Sequence, residues 1–249
     1  MGALAPSRDE SVGGIMITVL IVVLIVSGAL VAGALWGTFG SMGKQTEGFL
    51  VALAGGALLL SVVTELIQPS VERSGLTMAV LGVGFGAALF TGVDYLIDEK
   101  WNSEGGGGLL AAITLDGIPE NLALGVALIG AGAPEVAALA GSILLSNLPE
   151  AAGGAQQMAE GGMKKGRVIA VWAGTAALLS VAAIAGNVLL AGMGEGPLAF
   201  IRCVAAGAVV ASLATEVFPQ GFKDDHYWAG IATALGLLLA LGLGELAGG

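Results

Sequence analysis

Three carboxylates stand inside long apolar runs: Asp116, Glu120 and Glu150. No Lys or Arg lies beside them in the chain, so ordinary salt bridging does not account for them. An ionised carboxylate at membrane depth costs at least about 2.5–3.5 kcal/mol on insertion scales. Such acids are either protonated or face water and a cation. Asp116 and Glu120 are four residues apart and share one helix face. Ser146 and Glu150 repeat that spacing, and Asn147 precedes Glu150 by three. Two like charges on one face repel unless a cation or a proton lies between them. Asn121 adds an amide nearby. If the two helices pack together, these oxygens converge on a cation site.

Pro119 and Pro149 stand beside the acids. A proline inside a helix frees the carbonyl four residues earlier, here those of Leu115 and Leu145. Freed backbone at membrane depth is tolerated where it is buried in protein or lines a watery cavity. Glu65 and Glu216 also sit deep in apolar runs, each shortly before a proline, Pro69 or Pro219. They are pathway candidates, or protonated hydrogen-bond partners between helices. The other acids read as peripheral: Asp94 as an interfacial cap, and Asp98, Glu99, Glu135, Glu160, Glu195, Asp224 and Asp225 as solvated loop or helix-end charges.

The elements that must hold these groups are membrane helices. The 249 residues are 56% hydrophobic and only 11% charged, with a mean hydropathy of +0.91. A soluble domain carries about a quarter charged residues. The 43 glycines suit a membrane bundle, where small residues let helix backbones approach closely. Apolar runs predict eight spans, near 14–37, 48–68, 76–97, 108–131, 134–160, 167–191, 198–219 and 227–247. The first has an acidic flank and is too long for a signal peptide, so it reads as a retained helix. One side of the membrane receives Lys44, Lys100, Lys164, Lys165, Arg167 and Lys223. The other receives Arg8, Arg73 and Arg202. The richer side is expected to be cytoplasmic, which puts both termini outside. The expected location is the plasma membrane.

An internal repeat is legible. Gly56, Ala57, Ser61, Thr64 and Glu65 align without gaps with Gly207, Ala208, Ser212, Thr215 and Glu216. Asp116-Gly-Ile-Pro119-Glu120 parallels Ser146-Asn-Leu-Pro149-Glu150. The matched spans are offset by odd numbers, so they run in opposite directions. That is the pattern of an inverted-topology repeat, with spans 1–3 and 6–8 around spans 4 and 5. The expected fold class is all-α, a single polytopic transmembrane domain.

Asp116 to Gly125 and Ser146 to Gly154 resemble the fourth- and fifth-helix motifs of the ZIP (Zrt/Irt-like) divalent-metal transporters, which usually read His-Asn-x-Pro-Glu-Gly and polar-polar-x-Pro-Glu-Gly. Phe49 to Pro69 is similar to that family's second helix. The resemblance covers most of the chain. It implies a metal path between the fourth and fifth spans, with Glu120 and Glu150 as ligands and Asp116 where the family usually has His. Ser146 and Asn147 occupy the two polar positions before Pro149. A homodimer is implied by the resemblance alone. Gly117 replaces the usual Asn, and Asn121 the usual Gly. The sixth span reads Ser180 to Gly186 without an acid, which argues against a second, bridging metal. The loop after the third span lacks the family's frequent His cluster.

The expectation is therefore a divergent ZIP-like transporter moving a divalent cation without ATP, since no Walker-type motif is present. The metal is cargo, and no cofactor is expected. The partners expected are that ion and the lipid bilayer. Carboxylate, amide and hydroxyl donors favour harder ions such as Mn²⁺, Mg²⁺ or Ca²⁺, and zinc accepts carboxylates too. Two alternatives stand beside it: a proton- or sodium-coupled permease for a small organic solute, and a non-transporting membrane sensor on the same fold. Nine Lys and Arg with a net charge of −10 leave no basic patch for nucleic acid. An enzyme is not expected. The single His226 reads as solvated, and an intramembrane hydrolase would want a buried His. The single Cys203 excludes an intrachain disulfide.

Overall fold

The computed structural model of the chain describes residues 8–100, 106–131 and 136–248. Side chains are described for these residues apart from 8–15, 97–100, 106–113, 115–116 and 247–248. Among the described residues there are helices and no strands. In chain order they are α1 (Arg8–Phe39), α2 (Lys44–Val62), α3 (Gln68–Ser74), α4 (Leu76–Lys100), α5 (Gly106–Ala127), α6 (Ala137–Glu160), α7 (Lys165–Leu190), α8 (Glu195–Ser212), α9 (Phe218–Asp225) and α10 (Trp228–Gly248).

Among the described residues, six helices are long and apolar enough to cross a membrane: Met16–Phe39, Lys44–Ser74, Leu76–Leu96, Lys165–Leu190, Glu195–Asp225 and Trp228–Leu246. This fits a multi-pass membrane protein. The expected fourth and fifth spans fall largely on α5 and α6, which are not among the six. Ser142, Ser146, Asn147, Glu150, Gln156, Gln157 and Glu160 lower the apolarity of α6, and α5 has its side chains described only in part.

Two of the six continue through a π turn. Val63–Ile67 joins α2 to α3, and Leu213–Val217 joins α8 to α9. The Gln68 N–H donates to the Val63 carbonyl, and the Phe218 N–H to the Leu213 carbonyl, each five residues back. Each turn stands immediately before the proline expected to break the register, Pro69 or Pro219. A proline cannot donate to the ladder, and a one-residue widening is how the rods carry on. Single π turns of this kind cluster at functional sites. Pro119 and Pro149 lie inside α5 and α6, which also run through them.

In the apolar 18-residue stretch of each helix, 56% and 67% of the residues are buried for Lys44–Ser74 and Glu195–Asp225, against 22% for Leu76–Leu96 and Trp228–Leu246. The first two are therefore central, and α4 and α10 form the outer faces. Leu81, Phe85, Leu89, Leu235, Leu238 and Leu241 are exposed there, as lipid contact requires. Helix α10 packs on α2, and α4 on α8. Both crossings are glycine-on-carbonyl contacts. A Cβ at Gly56 would fall on the Thr233 carbonyl, and one at Gly236 on that of Leu53. A Cβ at Gly207 would fall on the Val83 carbonyl, and one at Gly86 on that of Val204. Helix α6 packs on α1 in the same manner, with Gly37 against the Ala152 carbonyl. Helices α5 and α7 meet through Gly125 and Gly186. The main core joins Val19, Val23, Leu58, Leu66, Leu124, Leu139, Ile143 and Leu213 from six elements.

Candidate carboxylate site

Glu120 on α5 is buried, and Glu150 on α6 is partly buried. The Glu150 carboxylate lies within electrostatic range of those of Glu120 and Glu216. The fold thus brings three acids from α5, α6 and the Leu213–Val217 turn into one neighbourhood. Asp116 falls on α5, and its side chain lies outside the described residues. Among the described residues, no three His, Cys, Asp or Glu side chains are gathered at metal-holding distances.

The neutral donors expected at the site divide. Ser146 is buried beside Asn147. The Asn147 side-chain Nδ2 donates to the Val26 carbonyl on α1 at 3.0 Å, a tie between helices that leaves its Oδ1, the atom that could ligate a cation, out of that bond. The Asn121 Nδ2 donates to the Gly117 carbonyl at 2.9 Å. Its Oδ1 is buried without a protein partner and is available as an acceptor next to Glu120. A Cβ at Gly117 would meet Leu179 Cδ1 at 2.5 Å, the end of a flexible side chain that would have to move aside. Ser180 on α7 donates to the Ala176 carbonyl and has its Oγ 2.7 Å from Ser27 Oγ on α1, which makes the sixth expected span a structural neighbour.

Glu65 engages a different element. Its Oε1 accepts the Leu139 backbone N–H at 3.1 Å, in the first turn of α6. Its Oε2 is buried without a hydrogen-bond partner. Glu65 lines a cavity of 220 Å³ together with Thr64, Arg73, Ile129, Gly130 and Arg202.

Several functional-looking groups escape a reading of the sequence. Arg202, assigned above to a flank, is only 5% exposed inside α8. Its Nη2 donates to the carbonyls of Ile129 at 2.8 Å and Val126 at 3.4 Å, and its Nε is buried without a partner. The buried guanidinium is tolerated because it serves the Ile129 carbonyl past the end of α5 and shares the Val126 carbonyl with the Ile129 N–H. Asn187 on α7 donates to the Gly125 carbonyl at 3.0 Å. Glu47 is buried at the start of α2, with Lys44 Nζ 3.9 Å from its Oε2. Its carboxylate occupies the space that a side chain at Gly153 would fill. Asp225, expected to be solvated, is buried where the chain turns at His226 (φ 49°) into α10. His226 itself is exposed as expected. The Gln156 Oε1 accepts the Met42 N–H at 2.9 Å and pins the α1–α2 connection to α6. Only the lone buried Arg202 carried a visible signal, a charge four residues inside an apolar run. Of the expected loop or helix-end acids, Asp98 and Glu99 fall on the last turn of α4, with their side chains outside the described ones, and Glu135 lies outside the described residues.

No protein-family model matches the chain, and no curated protein matches it significantly.

Proposed function

We propose that this chain is a membrane transporter for a divalent metal cation, with the path running between α5 and α6 past Glu120 and Glu150. The observation that carries the reading is the placement of Glu120, Glu150 and Glu216 within one electrostatic neighbourhood, in a bundle whose long helices are apolar enough for lipid. Among the described residues no salt bridge reaches Glu120 or Glu150, and acids placed in this way call for a compensating cation. Asn121 Oδ1 and Ser146 offer further oxygen donors for a hard ion, and the sequence spacing alone assigns Asp116 to the same set. The metal is cargo that exchanges its hydration shell for these oxygens.

The eight-span, inverted-repeat architecture of the ZIP-like kind belongs to the same proposal. Its support is the duplicated sequence motif together with the duplicated π turn before Pro69 and Pro219. The glycine crossings of α2 on α10 and of α8 on α4 also recur at matched positions. Both termini are extracytoplasmic in this reading, and the membrane is the plasma membrane. A homodimer follows from the resemblance alone.

The test is uptake into liposomes of Zn²⁺, Mn²⁺, Cd²⁺, Fe²⁺ and Mg²⁺ by the full chain, with Glu120→Ala and Glu150→Ala alongside. Uptake of at least one metal that both substitutions abolish supports the proposal. Absence of uptake by folded, inserted protein overturns it in favour of a solute permease or a sensor.

A further inference from the structure

The helices sort into two packed groups. Helix α1 packs on α6 and α7, and α5 packs on α7. Helix α2 packs on α10 and α9, and α8 packs on α4 and α3. The groups meet where α2 faces α6 and α5 faces α8. Glu120 and Glu150 both belong to the first group, on α5 and α6.

Two charged side chains cross that boundary at one cavity. Glu65, from the π turn after α2, accepts the Leu139 N–H at the start of α6. Arg202, from α8, donates to Val126 and Ile129 at the end of α5. The first N–H groups and last carbonyls of a helix have no partner within it. A helix start carries partial positive charge and a helix end partial negative charge. The acid therefore holds the positive end of one site helix, and the base holds the negative end of the other. Both signs are matched, and both groups come from the second helix group. Arg73 lines the same cavity at its exposed rim and sits 3.7 Å from Glu195.

We propose that Glu65 and Arg202 are positioning residues that form a latch. They tie the adjoining ends of α5 and α6 to the second helix group and hold this end of the path closed. Opening moves one group against the other and breaks both contacts. The buried Arg202 Nε and Glu65 Oε2, which lack hydrogen-bond partners, are the atoms that water reaches first when the cavity widens. The latch rests on the transport reading for its purpose and for the Mn²⁺ control in its test, but not for the labelling.

The test uses the full chain with Cys203→Ser, so that Val136→Cys is the sole thiol. Val136 is buried and lines the cavity. Its labelling by a membrane-impermeant maleimide reports opening. Arg202→Met is expected to raise the labelling rate about 5- to 30-fold, the factor a partly buried charge–helix contact represents. Arg202→Lys keeps the charge and stays near the parent. Glu65→Gln keeps an acceptor oxygen but loses the charge and labels at an intermediate rate. Mn²⁺ affinity at Glu120 and Glu150, titrated in detergent, is expected to change less than about twofold in all three, well under the tenfold that 1.4 kcal/mol represents. Unchanged labelling in Arg202→Met overturns the latch, as does labelling that rises only together with loss of Mn²⁺ affinity. If Arg202→Met does not fold, Glu65→Gln decides by the same labelling. Failure of wild-type uptake would overturn the transport reading without altering the labelling result.

Discussion

The side-chain amide of Asn147 donates to the backbone carbonyl of Val26 at 3.0 Å, across 121 residues of sequence. It fastens α6 to α1 one turn from Glu150. Polar ties of this kind between membrane helices contribute about 0.6 kcal/mol on average and up to about 1.7. Asn147→Ala is expected to lower unfolding stability by about that amount and to leave metal affinity nearly intact. Chemical denaturation in detergent, with Mn²⁺ titration of the same sample, checks both halves. Loss of affinity at unchanged stability would make Asn147 a ligand.

Glu150 shares its surroundings with Glu120 and Glu216. In the metal-free protein an acid held there is either repelled by its neighbours or kept protonated, and an amide removes the need for both. Glu150→Gln is expected to melt at the same temperature as the parent or above it, and to bind Mn²⁺ at least about tenfold more weakly, a loss of about 1.4 kcal/mol. A sharp fall in melting temperature would mark the carboxylate as structural.

A bound cation that compensates this cluster stabilises the fold by mass action. At a hundredfold excess over Kd the gain is about 2.7 kcal/mol. Thermal melts should therefore rise with added metal and fall back with chelator. Glu120→Gln should abolish the rise. The all-oxygen donor set predicts that Mn²⁺ produces it at concentrations no higher than Zn²⁺ requires. A far tighter zinc response would count against a hard-ion site.

Gly56 and Gly207 lie against the carbonyls of Thr233 and Val83, with no space for a side chain. Overpacking of this kind costs about 1–3 kcal/mol or more. Gly56→Leu and Gly207→Leu should each lower the yield of folded protein and its melting temperature. Gly84→Leu is the control, since nothing lies within 4 Å of its Cβ position. Equal damage from all three would remove the close-crossing explanation.

Some of this protein is set by local sequence alone. Apolar runs of membrane length dictate helices, because unsatisfied backbone is too costly in hydrocarbon. The spacing of Asp116 with Glu120, and of Ser146 with Glu150, puts each pair on one helix face whatever the helix packs against. The prolines after Glu65 and Glu216 mark where the ladder must adjust, though not that it does so through a π turn. Tertiary structure decided the rest. It put Glu216 near Glu150 and turned Glu65 to the start of α6, although the two acids stand in matching motifs. It buried Arg202 against the end of α5 and spent the Asn147 amide on α1. The hydrogen-bonded partners among these lie 73 to 121 residues apart in the chain. Helical periodicity says which residues share a face, but the facing helix is selected by where glycines let two backbones touch. That selection depends on both surfaces at once, and no single stretch of sequence contains both.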